Sequence, residues 1–205
     1  MSDLVLASGS PRRAELLRQL GLVFSTLTPD IDEHPLARES ASDYANRMSR
    51  AKFDGANSMT SERATVTLIS ADTVVVRDGK ILGKPRGEEE CVDMLMSLSG
   101  RDHNVMTSVT MGIAERAVST FLVETIVRFR RLTSEECRDY WATGEPCDKA
   151  GAYGIQGVGA IFVEWIGGSY SNVVGLPLME VAQSLRQFGI DCLDCTRTTR
   201  MRQEL

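Results

Sequence analysis

Hydrophobic and polar positions follow two periods along this chain. Leu4 to Ala7 is a short, wholly apolar run of the kind a buried strand shows. Ser8-Gly9-Ser10-Pro11 follows, and then a segment in which Leu16, Leu17 and Leu20 share one helical face before Gly21. Ser10 as N-cap, Pro11 at the first helical position and Gly21 as terminator predict a helix there. Phe24 to Thr28 reads as a second strand. A second helix starts near Ser40 or Ser42, carries Tyr44, Met48 and Ala51 on one face, and places Lys52 near its last turns. Asn57 to Thr65 is polar and reads as a loop.

Val66 to Ser70 and Val74 to Arg77 are β-rich runs flanking Ala71, Asp72 and Thr73. Asp78-Gly79 is a hairpin signal leading into Lys80 to Leu82. Glu88 to Leu98 is an amphipathic helix stopped by Gly100, and Val105 to Ile113 and Ser119 to Phe129 are long strands joined around Glu115 and Arg116. Thr133 and Glu136 form a capping box for a short helix ending at Gly144. Ala150 to Ala160 is a glycine-dense loop or irregular strand, Ile161 to Ile166 a strand, and Pro177 to Phe188 a closing helix. Strands and helices interleave, with antiparallel hairpins in the second half, so a mixed α/β or α+β sheet is expected.

Composition narrows the function. The 205 residues suit one domain, taken as 1–195, with 196–205 as a frayed tail that carries Arg197, Arg200 and Arg202. With 28 acidic against 23 basic residues the net charge is −5, which argues against a general nucleic-acid binder. No apolar stretch approaches the roughly 18–20 residues of a membrane span. No basic region precedes an apolar core at the N-terminus, so no secretory signal and a cytoplasmic location are expected. Five cysteines, an odd number and widely spread, argue against a disulfide scaffold. Cys192 and Cys195 have C-x-x-C spacing but no second pair to complete a zinc site, and read as ordinary thiols near the tail. His34 and His103 are the two histidines, so triad hydrolysis and histidine-rich metal sites have little to draw on.

The basic residues are unevenly chosen. Only Lys52, Lys80, Lys84 and Lys149 are lysines, so arginine supplies the general surface charge and each lysine hints at a place for a compact ammonium. Lys80, beside Asp78-Gly79, reads as a turn residue. The Ser8-Gly9-Ser10 junction ahead of a helix, with Arg12 and Arg13 just inside it, is an anion-ready arrangement as well as an ordinary capped helix. Asp72 interrupts an apolar run, where a carboxylate is rarely buried unless paired or bound to metal; the alternative is an Asx turn at a strand end. Asp32 and Glu33 are adjacent acids after a strand, and Lys84 lies between Gly83 and Pro85. Gln156, in the glycine-rich stretch, can pair with a base edge through both donor and acceptor. Acids, a divalent metal and ammonium groups together are what phosphate-ester hydrolysis requires. No P-loop motif is present.

Nine blocks of sequence stand in order: Ala7 to Arg13, Glu15 to Leu17, Ile31 to Glu33, Ala51-Lys52, Ala71 to Thr73, Gly83 to Pro85, Leu98 to Arg101 with His103, Asp148 to Gly157, and Gly168 to Pro177. Together they resemble the Maf family of nucleoside triphosphate pyrophosphatases over nearly the whole chain. The resemblance implies an elongated, two-lobed α/β fold with a mixed, twisted central sheet, related to inosine triphosphate pyrophosphatases, with a cleft between the lobes. It implies hydrolysis of a nucleotide to its monophosphate and pyrophosphate with Mg²⁺ or Mn²⁺, in a homodimer. On this chain Asp72 matches the proton acceptor, and Glu33, Lys52 and Lys84 match the other charged groups of the catalytic set. Asp72 and Glu33 are the implied metal ligands. Ser8 and Arg13 match substrate-binding positions, and Arg12, Thr73 and Gln156 match those associated with base choice. The stretch from Asp148 to Gln156 resembles the subfamily acting on dTTP and UTP, with modified pyrimidine nucleotides fitting the same expectation. Cys147 stands where a larger apolar residue is expected. The alternative, from the family's association with septum inhibition, is a regulatory protein that binds a division component and takes nucleotide as a signal.

Overall fold

The computed structural model describes residues 3–60, 65–113 and 116–194. Its centre is a seven-stranded mixed sheet. The strands are β1 (Leu4–Ala7), β2 (Ser25–Leu27), β3 (Thr67–Arg77), β4 (Lys80–Leu82), β5 (Asp102–Ile113), β6 (Arg116–Phe129) and β7 (Val163–Gly167). They run in the order β2-β1-β3-β5-β6-β7, with β4 added beside β3. β1 is parallel to β2 and β3, and every other pairing is antiparallel. The helices are α1 (Pro11–Gln19), α2 (Ala41–Met59), α3 (Glu88–Leu98), α4 (Ser134–Ala142), α5 (Tyr170–Val174) and α6 (Leu178–Leu185).

Strand periodicity divides the core between the two faces of the sheet. On one face Ile69, Ala71 and Val75 of β3 pack with Leu16 and Leu17 of α1, Leu95 and Leu98 of α3, Tyr140 of α4 and Leu185 of α6. On the other, Leu68 meets Phe53 and Ala56 of α2, while Val74 and Val76 meet Ala45 of the same helix. A single long helix therefore covers one face and the remaining helices cover the other.

β3 changes its neighbour part-way along. From Leu4↔Thr67 to Ala7↔Ser70 it pairs with β1. From Val75↔Leu82 to Arg77↔Lys80 it pairs on the same edge with β4. Ala71 to Val74 lie between these two registers, paired only on the opposite edge with β5. The sheet is forked there, and it is at such divergence points that open α/β sheets leave room for a ligand.

Several expectations are corrected. β3 is continuous, so Asp72 sits mid-strand and not at a strand end. α2 runs on to Met59, so Lys52 lies nearer its middle than its last turns, and Asn57 to Met59 are helical. The second strand is shorter than predicted and excludes Phe24 and Thr28. Ser10 has the extended backbone of an N-cap, but its side chain makes no cap. Its own N–H is instead taken by the Ser8 hydroxyl at 3.2 Å. The glycine-dense stretch and the residues just before it fold as three short 3₁₀ turns, Glu145–Asp148, Ala150–Ala152 and Val158–Phe162, and the last displaces the start of β7 to Val163. The polar stretch before Pro177 contains α5, and the closing helix is α-helical only to Leu185, with one 3₁₀ turn after it. The Asp78-Gly79 hairpin is present, both residues at positive φ (48° and 74°). The Thr133–Glu136 capping box closes in both directions. Glu115, Cys195 and the 196–205 tail lie outside the described residues. Among those described, no helix is long and apolar enough to cross a membrane.

Candidate active site

A cavity of about 830 Å³ opens at the fork in β3. Because side chains alternate along a strand, neighbouring residues at the fork face opposite sides of the sheet. Asp72 faces α2, and Thr73 faces α1 and α5. The cavity reaches both.

On the α2 side, the Lys52 ammonium donates to Asp72 Oδ1 at 2.6 Å and lies 2.7 Å from Glu33 Oε1. Lys52 and Asp72 are nearly enclosed, with side chains 15% and 12% exposed, whereas Glu33 is half exposed. Desolvation works against ionisation of Glu33. The hydrogen bond and charge of Lys52, helped by Lys84 and Arg13, outweigh it and hold the carboxyl below its ordinary value. Glu33 lies on an irregular loop tied to α2 by two side chains. The Tyr44 hydroxyl donates to the Glu33 carbonyl at 2.8 Å, and Arg47 forks onto Glu39 at 2.6 Å and donates to the His34 carbonyl at 3.0 Å. Burial and then the charges of Asp72 and Glu33 push the Tyr44 phenol up to about 12, so it remains a donor at neutral pH.

On the other side, Arg13 is buried and its guanidinium is held by three acceptors. These are the Gly175 carbonyl at 2.8 Å, the Thr73 hydroxyl at 2.9 Å and the Ser8 hydroxyl at 3.3 Å. Burial lowers its pKa, and the charge of Asp72 opposes that shift. The chain continues through Thr73 to Thr107 (2.9 Å), and from Thr107 to the Asn172 carbonyl in α5 (3.0 Å). This network fixes α1 and α5 against the sheet at the fork. Since Ser10 does not cap α1, the first turn of that helix presents its backbone N–H groups without a side-chain acceptor from its own N-cap.

The far wall comes from the 3₁₀ segments. Arg12 reaches Asp148 at 3.1 Å, and Lys149 pairs with the same carboxylate. Burial opposes ionisation of Asp148, but Lys149 and Arg12 prevail and lower its pKa. Lys84, exposed on the turn before α3, makes no ion pair or side-chain hydrogen bond among the described residues, and Gly83 beside it accepts from the Gly151 N–H at 3.0 Å.

All nine residues that the family resemblance assigns to the site line this one cavity: Ser8, Arg12, Arg13, Glu33, Lys52, Asp72, Thr73, Lys84 and Gln156. Residues from six remote segments meet there. Tyr44, Glu145, Asp148 and Lys149 also line it. Helical spacing assigned Tyr44 to an apolar face, which hid the hydroxyl's partner. His103 is elsewhere, buried against Phe129 and Tyr153. Among the described residues no group of three or more His, Cys, Asp or Glu is gathered as a metal cage. Asp72 and Glu33 are the two carboxylates that converge.

The sequence profile of the family described as Maf-like protein matches residues 3–188. The chain belongs to the Maf-like protein family. A dTTP/UTP pyrophosphatase of Vibrio vulnificus (strain YJ016) is 51% identical to this Maf-like chain over 188 residues, covering 92% of it and 100% of the relative. A protein of the same name from Hahella chejuensis (strain KCTC 2396) is 46% identical over 187 residues, covering 91% and 92%. Among solved structures, a nucleoside-triphosphatase / dITP/XTP pyrophosphatase from Mycobacterium abscessus aligns with a TM-score of 0.40 at 16% identity, covering 63% of this Maf-like chain and 74% of its own.

Proposed function

We propose that this Maf-like chain hydrolyses dTTP and UTP to the nucleoside monophosphate and pyrophosphate, in the cytoplasm and as a homodimer. The observation that carries the reading is the Asp72–Lys52–Glu33 cluster at the β3 fork, in a cavity that also holds Arg12, Arg13, Lys84 and Lys149. In an acidic protein this one cavity gathers five cations and four carboxylates, two of which, Asp72 and Glu33, converge on Lys52, and so offers a place for a polyanion and for the water that attacks it. The family relatives named for dTTP and UTP support the choice of nucleotide.

In this mechanism the triphosphate lies beside the first turn of α1, where backbone donors, Arg12 and Lys84 offset its charge. Asp72 accepts the proton of a water that attacks the α-phosphorus, the bond to the bridging oxygen breaks, and pyrophosphate leaves with that oxygen. Lys52 orients Asp72 and keeps two like-charged carboxylates close together. Arg13, bound to Gly175, Ser8 and Thr73, holds the helix start at a fixed distance from the strand. Gln156 reads the O4 and N3 edge of uracil or thymine.

The donor set suits a divalent cation held by one or two carboxylates together with phosphate oxygens and water, which is the habit of Mg²⁺. Asp72 and Glu33 would hold it; when bound it offsets phosphate charge and acidifies coordinated water.

Incubation of the purified chain with dTTP, UTP and Mg²⁺ or Mn²⁺, with separate assays for pyrophosphate and orthophosphate, tests the reading. Pyrophosphate and monophosphate in equal amounts are expected. Orthophosphate with the diphosphate would place the attack at the wrong phosphorus, and saturable binding without product would make the chain a nucleotide sensor.

A further inference from the structure

Between Gly154 and Gly159 the chain crosses the cavity wall with three glycines in six residues, a composition that leaves a backbone loosely specified. Gln156 lies at the middle of this stretch. It is exposed, and its carboxamide has no hydrogen-bond partner among the described residues. A base-reading amide needs the opposite of looseness, because its donor and acceptor must be held to within about half an ångström.

The stretch is held at both ends by one pair of side chains. The Gly154 N–H donates to the Tyr140 hydroxyl at 3.0 Å. The Val158 and Gly159 N–H groups donate to the two carboxylate oxygens of Glu145, at 2.7 and 3.1 Å. The Tyr140 hydroxyl in turn donates to Glu145 Oε1 at 2.7 Å, joining the two anchors. Tyr140 is itself immobilised in the core, 2% exposed and edge-on to Phe162 with ring centroids 5.0 Å apart. Glu145 is seated where a side chain at Gly157 would be: a Cβ there would stand 2.2 Å from its Oε2. Burial works against ionisation of Glu145, but Tyr140 and the two backbone donors overcome it and lower its pKa.

We infer that Glu145 and Tyr140 are positioning residues that set the place of Gln156 and so determine the choice of base. This rests on the pyrophosphatase reading and adds to it the device that makes a glycine-rich loop selective. Neither residue is asked to touch the reacting phosphate. Their effect passes through the backbone of Gly154 to Gly159.

The test compares kcat and KM for dTTP, UTP, dCTP and dGTP in the wild-type protein, Glu145→Gln, Tyr140→Phe, Gln156→Ala and the two double variants containing Gln156→Ala. Glu145→Gln keeps the side chain's length but cannot accept from three donors with two carboxylate oxygens. Tyr140→Phe removes the Gly154 anchor and the hydroxyl's bond to Glu145, and leaves the two backbone bonds of Glu145 in place. Each is expected to raise KM for dTTP and UTP by roughly tenfold, with a smaller change in kcat, and to narrow the preference over dGTP by a similar factor. In the double variants the preference should fall no further than in Gln156→Ala, since the brace and the reader act as one unit. Retained preference in the brace variants overturns the inference. So do losses that multiply in the double variants, or equal losses on all four nucleotides. If Glu145→Gln does not fold, Tyr140→Phe and its double variant decide the question. A wild-type protein inert toward dTTP and UTP would overturn the pyrophosphatase reading itself, a result distinct from loss of preference in an active enzyme.

Discussion

Lys52 and Asp72 meet at 2.6 Å across the interface between α2 and the forked segment of β3. Among the described residues, the ammonium comes from the one helix on that face of the sheet, and the carboxylate from the part of the strand left without a partner on one edge. Ser49, one turn earlier on α2, bonds to Ser108 at 2.8 Å and Thr110 at 3.0 Å, and its carbonyl accepts from Ser70 at 2.7 Å. Helix and strand are thus registered by buried hydroxyls just before the charged pair. The relation of Lys52 to Asp72 is set by the fold, and an exposed ion pair could not be relied upon for that.

Asp72→Asn should lower kcat for pyrophosphate release by about 10²–10⁴-fold, the usual contribution of a general base. The amide still accepts from Lys52, so the far-UV circular dichroism and thermal midpoint should stay close to wild type. Wild-type turnover in the variant would remove Asp72 from the mechanism.

Arg13→Lys should be more damaging to stability than the change in charge suggests, because charge is conserved and geometry is not. A lysine cannot reach Gly175, Thr73 and Ser8 together as the guanidinium fork does. A loss of about 2 kcal/mol is expected, from broken hydrogen bonds to a buried charged group. Urea unfolding measures it, and an unchanged midpoint would show that the three contacts carry little.

Lys84→Ala gives the converse. Lys84 is exposed and has no ion pair among the described residues, so its removal should change stability by no more than about 0.5 kcal/mol. KM for dTTP should rise severalfold as one cation is lost from the phosphate site, and the rise should shrink at high salt. A KM insensitive to both would exclude Lys84 from substrate contact.

His103 gives the molecule an acid sensitivity unrelated to catalysis. Burial, then the charge of Arg77, lowers its pKa from 6.5 to about 4, with Asp102 pulling the other way; its Nε2 meets the Tyr153 hydroxyl at 2.8 Å. The unfolded chain therefore takes up a proton between pH 6.5 and about 4 that the folded chain refuses. Stability should fall as pH drops through that window, by at most about 3 kcal/mol, and level off below it. His103→Gln should flatten this part of a Tm-against-pH curve.

Much of this was legible in the sequence, and the reasons differ by residue. Asp72 stood out because a carboxylate in an apolar run needs a partner, and the partner is Lys52. Gln156 and Lys84 were marked by glycine and proline around them. Glu145 was not, since an acid between Gly144 and Pro146 reads as a turn, and its role depends on backbone donors that leave no trace in side-chain identity. The fork in β3 was also invisible. A strand that exchanges one neighbour for another keeps the same apolar pattern throughout, and the change resides in β1 and β4. The two β-rich runs around Asp72 hinted at an interruption, which turned out to be in the pairing and not in the strand.

The gap in pairing along Ala71 to Val74 has a consequence for isotope labelling. Amides in the middle of the most enclosed strand of a sheet ordinarily trade hydrogen for deuterium only when the whole molecule opens. Here the forked edge borders the open cavity and has no strand partner, so the centre of β3 should label early while both its ends remain dark. A bound nucleotide would bring the centre into line with the ends.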